Sequence, residues 1–261
     1  MQKPEQLDWN KTNLALFGSD LEKKIKAAAA TGEPEWKNVG DAEGLHVWRI
    51  EQFVVQPWPK RKYGKFHKGD SYIVLNTFHK KLSSPLLSHD IHIWIGSEST
   101  QDEYGTAAYK MVELDDKLAG AAIQHREVEE KESQLFLDYF DDKLTYLRGG
   151  IESGFNHVEP TVEDPHLYQI KGSVKENSLR LTQISVRRDC MNSGDVFILV
   201  ASNDNVWLWI GEHSNADEKA KGMEVARAFC TKGSVHVLEQ GVNDGEKQDP
   251  TFWKYLPGKV K

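Results

Sequence analysis

Cysteine is scarce in this chain. Cys190 and Cys230 are the only two among 261 residues, too few for a disulfide framework or a structural zinc site. Such usage points to a reducing compartment, the cytoplasm. Long apolar runs are absent too: none approaches the ~20 residues that a membrane-spanning helix needs. The opening Met1-Gln2-Lys3-Pro4-Glu5-Gln6 lacks the apolar core of a secretion signal. Positive charge is in deficit, with a net charge of −7, which disfavours nonspecific binding to nucleic acid or anionic membrane. No Walker-type phosphate loop, His-Glu-x-x-His helix or EF-hand loop occurs. The ten histidines are scattered. His92 and His236 fall in strand patterns and read as structural.

What is present is a core and a repeat. Hydrophobic residues make up 39% of the chain, enough for folded domains, and the length suits about two. Gly69-Asp70-Ser71-Tyr72-Ile73-Val74-Leu75 is followed by Ile91-His92-Ile93-Trp94-Ile95-Gly96 and then by Asp102-Glu103 opening a helix. Gly194-Asp195-Val196-Phe197-Ile198-Leu199-Val200, Val206-Trp207-Leu208-Trp209-Ile210-Gly211 and Asp217-Glu218 repeat the order. Tandem units follow from such self-similarity.

We expect a polar helical arm over 1–44, a first unit over 45–151, a linker over 152–165 and a second unit over 166–261. In the arm, Ser19-Asp20-Leu21-Glu22 has capping-box spacing, and Thr31-Gly32-Glu33-Pro34 ends the helix. The first unit should hold strands at 45–50, 71–76, 91–95 and 123–128. It should hold a long helix at 102–119, a short one at 133–140, and a loop from Lys80 to His89 broken at Ser84-Pro85. The second unit should hold strands at 167–170, 195–200, 205–210 and 234–238, with helices at 215–230 and 249–256. Each unit is thus a central sheet with one long and one short helix.

The two long helices differ. In the first, Ala107, Met111, Leu114 and Leu118 form the stripe that should face the sheet. Tyr109 and Val112 lie off that stripe and make a second apolar face. The matching positions in the second helix are Glu224 and Arg227, while Gly222, Ala226 and Phe229 keep the inward stripe. A second apolar face marks either a partner groove or a patch covered by the arm at 14–30.

The repeated acids have two readings. An Asp before a strand and a Glu at a helix start can supply opposite sides of a cage for calcium, a hard ion that takes six to eight oxygens. Equally, a Glu in the first turn complements the helix dipole, and an Asp after Gly is an ordinary turn residue. A hydrolase is the competing reading. Gly69-Asp70-Ser71 and Gly241-Val242-Asn243-Asp244 match two blocks of GDSL hydrolases. That class needs a histidine base after the Asn block, and the last histidine, His236, precedes it.

Taken together, Gly69-Asp70, Trp94-Ile95-Gly96, Gln101-Asp102-Glu103, Val112-Glu113-Leu114-Asp115-Asp116, Gln124-His125-Arg126-Glu127-Val128 and Gly149-Gly150-Ile151-Glu152-Ser153-Gly154-Phe155 resemble the first repeat of the gelsolin family. The second unit resembles its second repeat, and the architecture is similar to the severin and fragmin branch. The resemblance implies an α+β fold, an α/β sandwich of two tandem gelsolin-like domains. It implies calcium-regulated, non-enzymatic proteins of the cytoplasm and cytoskeleton that bind actin monomers, cap barbed ends and sever filaments. Carried over residue by residue, it implies a calcium site at Gly69, Asp70, Glu103 and Ile151. A second, shared with actin, falls at Asp115, Gly120 and Ala122. A third falls at Gly194, Asp195 and Glu218, with a further ligand unplaced. The implied actin contacts are Gly105, Tyr109, Val112, Asp115, Asp116 and Phe155. His125-Arg126-Glu127 takes a supporting role beside the shared site. The implied phosphoinositide segments, 141–148 and 166–175, contribute Lys143, Arg148, Lys171 and Lys175. Both are less basic than the family pattern, with Asp141 and Asp142 in one and Ser173 and Val174 at arginine positions in the other. Val196 and Ile210 stand where the second repeat can carry a disulfide.

Overall fold

The computed structural model describes residues 32–80, 86–141, 143–150, 165–176, 178–202 and 205–258. The expected arm helix with its capping box, the Ser84-Pro85 break, Asp142, Ile151, Phe155 and most of the linker lie outside them. In chain order the strands are β1 (Gly44–Glu51), β2 (Val54–Pro57), β3 (Lys65–His67), β4 (Ser71–His79), β5 (Leu87–Ile95), β6 (Ala122–Val128), β7 (Thr145–Leu147), β8 (His166–Lys171), β9 (Arg180–Ile184), β10 (Val196–Ser202), β11 (Asn205–Ile210) and β12 (His236–Glu239). The helices are α1 (Gln101–Lys117), α2 (Gln134–Asp138), α3 (Ala216–Phe229) and α4 (Pro250–Lys254). Packing divides the chain into two units. One holds the described residues up to Arg61 together with 69–131, and the other holds 62–68 together with residues from 132 onward.

The first unit is a five-stranded mixed sheet in the order β2-β1-β4-β5-β6. Its strands pair antiparallel except β5 and β6, which run parallel. Parallel neighbours need a crossover, and α1 supplies it. Trp48, Ile50, Ile73, Leu75, Ile91, Ile93 and Ile95 point to one face, where Ala107 and Leu114 of α1 cover them. Met111 and Leu118 pack at the margin of that cluster, so the inward stripe read from the periodicity is the one observed. The loop expected from Lys80 to His89 is shorter, because Phe78↔Ser88 and His79↔Leu87 extend the antiparallel ladder.

Alternation puts His92 on the other face of the sheet, fully buried. Its Nδ1 lies 2.9 Å from Glu127 Oε1, and its ring stacks on His125 at 4.3 Å. Burial pushes the His92 pKa below its usual 6.5, against the opposing pull of Glu127, and does the same to His89. A histidine depressed by folding binds its proton more readily in the unfolded chain. Stability is therefore intact above pH 6.5 and falls as the pH drops below it. Thermal melting at pH 7.5 and 5.5 should show a lower midpoint at 5.5. His92→Gln should shrink that difference. An unchanged difference would exclude His92 as a source.

The second unit is a seven-stranded mixed sheet in the order β12-β11-β10-β8-β9-β7-β3. Tyr168, Ile170, Val196, Ile198, Val206 and Leu208 point toward α3. The alternate residues Leu167, Phe197, Leu199, Trp207 and Trp209 point toward Phe252 and Leu256, on and just after α4. Helix on sheet on helix is the sandwich expected. Phe66 of β3 packs against Phe136 of α2 and against Phe140. Val196 and Ile210 are cross-strand partners. The Gly241–Asp244 block has a structural job: Asp244 accepts hydrogen bonds from Trp209 Nε1 at 2.9 Å and Gly241 N at 2.9 Å, while Asn243 accepts one from Glu239 N. Ser71, the other half of the hydrolase reading, is buried with its Oγ 2.8 Å from Ser99 Oγ.

Candidate calcium and partner-binding sites

Both repeats build the same frame around their acids. Gly96 N donates to Asp70 O at 3.0 Å, and Gly211 N donates to Asp195 O at 3.1 Å. Glu103 Oε2 accepts from Thr100 N at 3.1 Å, and Glu218 Oε2 accepts from Asn215 N at 3.0 Å. Each Glu thus closes the N-terminus of its helix, as in a capping box. Asp70, Glu103, Asp195 and Glu218 are all buried. In the first repeat, Ser99 links the two sides, bonded to Ser71 at 2.8 Å and donating to Glu103 at 3.1 Å.

The two frames differ in charge. Asp70 Oδ2 lies 2.6 Å from Arg49 Nη2, and both side chains are almost wholly buried. The guanidinium also lies 5.6 Å from the Trp58 ring centre. A divalent ion held by Asp70 and Glu103 would have to share Asp70 with that cation. In the second repeat, Asp195 accepts from Gln169 Nε2 and Asn192 Nδ2, and Glu218 accepts from Gly172 N at 3.0 Å. These donors are neutral. Among the described residues no cation pairs with either carboxylate, so the second site suits calcium better. Carboxylate and main-chain oxygen are the donors calcium takes, and Gly194 stands next to Asp195. Among the described residues there is no cluster of three or more His, Cys, Asp or Glu able to hold a metal, so main-chain oxygens must complete any cage.

The third set lies at the C-terminal end of α1. Ala119 N donates to Asp116 O at 3.0 Å and Gly120 N to Asp115 O at 2.9 Å, the bond pair of a Schellman turn. Ala119 (φ 59°) and Gly120 (φ 69°) are both left-handed, which stops the helix two residues before the expected 119. The reversal returns the chain so that Asp115 Oδ1 accepts from Ala122 N at 3.1 Å, and Oδ2 from Gln124 Nε2 at 2.8 Å. Asp115, Gly120 and Ala122 therefore meet in one corner, and the space around Gly120 is open. His125 reaches Asp90 at 3.4 Å and stacks on His92, which is a structural support.

Along α1, Gly105 is buried, Tyr109 is half-buried, Val112 is 49% exposed and Asp116 is exposed. Ile123, at the start of β6, is 55% exposed, and the sequence reading passed over it. Lys110 was also missed: it is 2% exposed. Its signal was faint, an i,i+3 pairing with Glu113 that looks like any surface pair.

Lys143 and Arg148 are exposed, as are Lys171 and Lys175. Lys143 lines an open groove of about 330 Å³ with Asp141, Asp217, Lys221 and Glu224. Three carboxylates there oppose a phosphate head group. Asp217 also accepts from Ser173 Oγ at 3.2 Å and Val174 N at 2.9 Å, which pins the turn that lacks the family's arginines.

The gelsolin-repeat family model matches residues 52–137 and 185–253. Gelsolin-like protein 1 of Lumbricus terrestris is 46% identical over 259 residues, covering 98% of this chain and 69% of its own length. Severin of Echinococcus granulosus is 44% identical over 265 residues, covering 98% of this chain and 70% of its own. Actin depolymerising venom protein gelsolin 1 of Platymeris rhadamanthus is 42% identical over 222 residues, covering 83% and 58%. The chain thus spans between 58% and 70% of the lengths of these three relatives. With both repeats matched, in order and on one shared frame, the chain belongs to the gelsolin family.

Proposed function

We propose that this protein binds actin monomers, caps filament barbed ends and severs filaments under calcium control, without catalysing a reaction, in the cytoplasm and cytoskeleton. The observation that carries the reading is α1 itself. One helix presents the apolar pair Tyr109 and Val112 and ends in the Asp115–Gly120–Ala122 corner. An apolar ridge suits a greasy cleft between two subunits. A carboxylate with free coordination capacity beside it suits an ion shared with the partner. A relative named for actin depolymerisation, 42% identical, supports the same reading.

Calcium would be held by Asp195 and Glu218 with the Gly194 carbonyl, by Asp115 with the carbonyls of Gly120 and Ala122, and, less readily, by Gly69, Asp70 and Glu103. When bound it supplies positive charge between carboxylates that otherwise repel, and favours whichever arrangement binds it better. Val112 and Tyr109 remove apolar area from water, and Asp115 orients the helix end. Severing needs only the exchange of one protein contact for another. A second reading, capping without severing, is favoured by Ser173 and by Val174, which is 66% exposed where the family carries arginine. Lipid binding at Lys143, Arg148, Lys171 and Lys175 is the weakest element, because of the acids beside Lys143.

The test is pyrene-actin assembly with and without calcium, for wild type and Asp115→Ala. Wild type should block barbed-end growth in calcium, and Asp115→Ala should lose about tenfold in potency, close to 1.4 kcal/mol. Equal potency would remove the shared ion from the mechanism. Filament-length imaging in the same samples separates severing from capping alone.

A further inference from the structure

We infer that residues 33–40 form a splint along α1, and that its clasp, Glu33–Lys110–Glu113–Trp36, positions the Tyr109–Val112 face for the partner. The inference rests on the functional reading above and adds positioning residues to it. Lys110 Nζ lies 2.9 Å from Glu33 Oε2 and 3.1 Å from Glu113 Oε2. Trp36 Nε1 donates to the other oxygen of Glu113 at 3.0 Å. The Trp36 ring is buried edge-on against Trp48, with centroids 5.1 Å apart. Glu33 also accepts from Glu35 N at 3.3 Å, which fixes the 3-10 turn Pro34–Trp36. Farther along, Gly40 is left-handed (φ +84°) and sits so close to Leu118 that a Cβ there would lie 2.4 Å from Leu118 Cδ2. Residues 33, 36 and 40 therefore meet 110, 113 and 118 in the same order. The splint runs parallel to the helix for about two turns, at 3.6 residues per turn.

Stability alone is a poor account of this clasp. A buried ion pair costs desolvation that its attraction barely repays, and well-packed apolar residues in place of all its members would often serve as well or better. What charged hydrogen bonds add is direction. An apolar contact tolerates rotation of a helix about its axis. A lysine held between two carboxylates, one of them tied to an indole N–H, does not. Lys110 and Glu113 directly follow Tyr109 and Val112 in sequence, so whatever fixes the rotation of one pair fixes the other. The clasp is one recurring way to trade stability for a defined geometry.

The experiment titrates labelled actin monomers with wild type, the double variant Glu33→Gln/Lys110→Met, Lys110→Arg and Val112→Asp in calcium, and records the thermal midpoint of each. Glu33→Gln/Lys110→Met removes one charge of each sign and leaves Glu113 partly exposed and bonded to Trp36 Nε1, so it should hold the midpoint yet lose about tenfold in affinity, and Lys110→Arg should keep affinity to within about threefold. A merely structural lysine would move midpoint and affinity together. Affinity of the double variant equal to wild type, with Val112→Asp impaired, would overturn the clasp and leave the functional reading standing. If the double variant does not fold, Glu33→Gln alone replaces it, since it keeps the Lys110–Glu113 pair. It should lose about threefold at constant midpoint, and no loss would overturn the inference. Failure of wild type to bind actin would overturn the functional reading itself, and Val112→Asp would then be silent too.

Discussion

Val112→Asp is expected to weaken binding to actin monomers by about 100-fold while leaving the fold intact. Val112 is 49% exposed on the outer side of α1, so the new carboxylate stays in water in the free protein. Surface changes of that kind usually cost within about 0.5 kcal/mol. A small extra penalty arises from a fourth acid beside Glu113, Asp115 and Asp116 near a helix C-terminus. In the complex the same carboxylate enters an apolar cleft and loses its water. Central apolar contacts of an interface cost ~2–4 kcal/mol when lost, and an unpaired buried charge adds to that. The measurement is a fluorescence titration of actin monomers, with circular dichroism melting alongside. Val54→Asp is the matched control. Val54 is 48% exposed, yet it lies on β2, at the far edge of the sheet from β6. Equal losses in the two variants would mean that charge alone, not the α1 ridge, is being read. No loss at Val112 would dismiss the wedge.

The interior of both repeats was legible because unbroken apolar runs mark its strands and a helical period marks its long helices. The continuous apolar runs that form β4, β5, β10 and β11 and the inward stripes of α1 and α3 sit where the pattern put them. The strands that escaped notice, β2, β3, β7 and β9, are short, between three and five residues. Too few residues repeat there for alternation to show, and β3 and β7 are recruited into the second sheet by pairing partners distant in sequence. Which candidate site residues come together was legible where the geometry is local. Asp115, Gly120 and Ala122 are joined by one turn, and the capping glutamates Glu103 and Glu218 are set by helix starts. It was illegible where charge is balanced over distance. Arg49 looks like an outward strand residue until Asp70 is found against it. Lys110 looks like a surface lysine until Glu33, far away in sequence, closes over it. Reading faces from periodicity, on strand or helix, assumes that a charge points to water, and both residues defeat that assumption by pairing.

The same comparison of repeats yields the largest folding effect. Gly222→Val should destabilise the chain by about 4 kcal/mol, and Gly222→Ala by ~1–3 kcal/mol. Ordinary helix chemistry predicts the reverse for alanine, since Gly→Ala in a helix interior gains about 1 kcal/mol. Packing overrules it here. A Cβ at Gly222 would lie 2.7 Å from Val196 Cγ1 and 2.9 Å from Leu208 Cδ1, closer than van der Waals contact. Both neighbours are fully buried in strands, so neither can swing aside. The helix must lift off the sheet, and lifting it opens the contacts of Ala226 one turn later and of Phe229, whose ring stacks on Tyr168 at 5.0 Å. Valine adds two methyl groups to that clash and a β-branch that a helix disfavours. The first repeat places Ala107, fully buried, at the matching position of α1, so its helix already rides one methyl farther from its sheet. Ala107→Gly should therefore lose packing and helix propensity together, whereas Gly222→Ala loses packing despite gaining propensity. Urea denaturation of both variants checks the pair. If Gly222→Ala proves more stable than wild type, the close approach of α3 to β10 and β11 is wrong, and with it the frame that sets Glu218 beside Gly172 and Asn215 at the start of that helix.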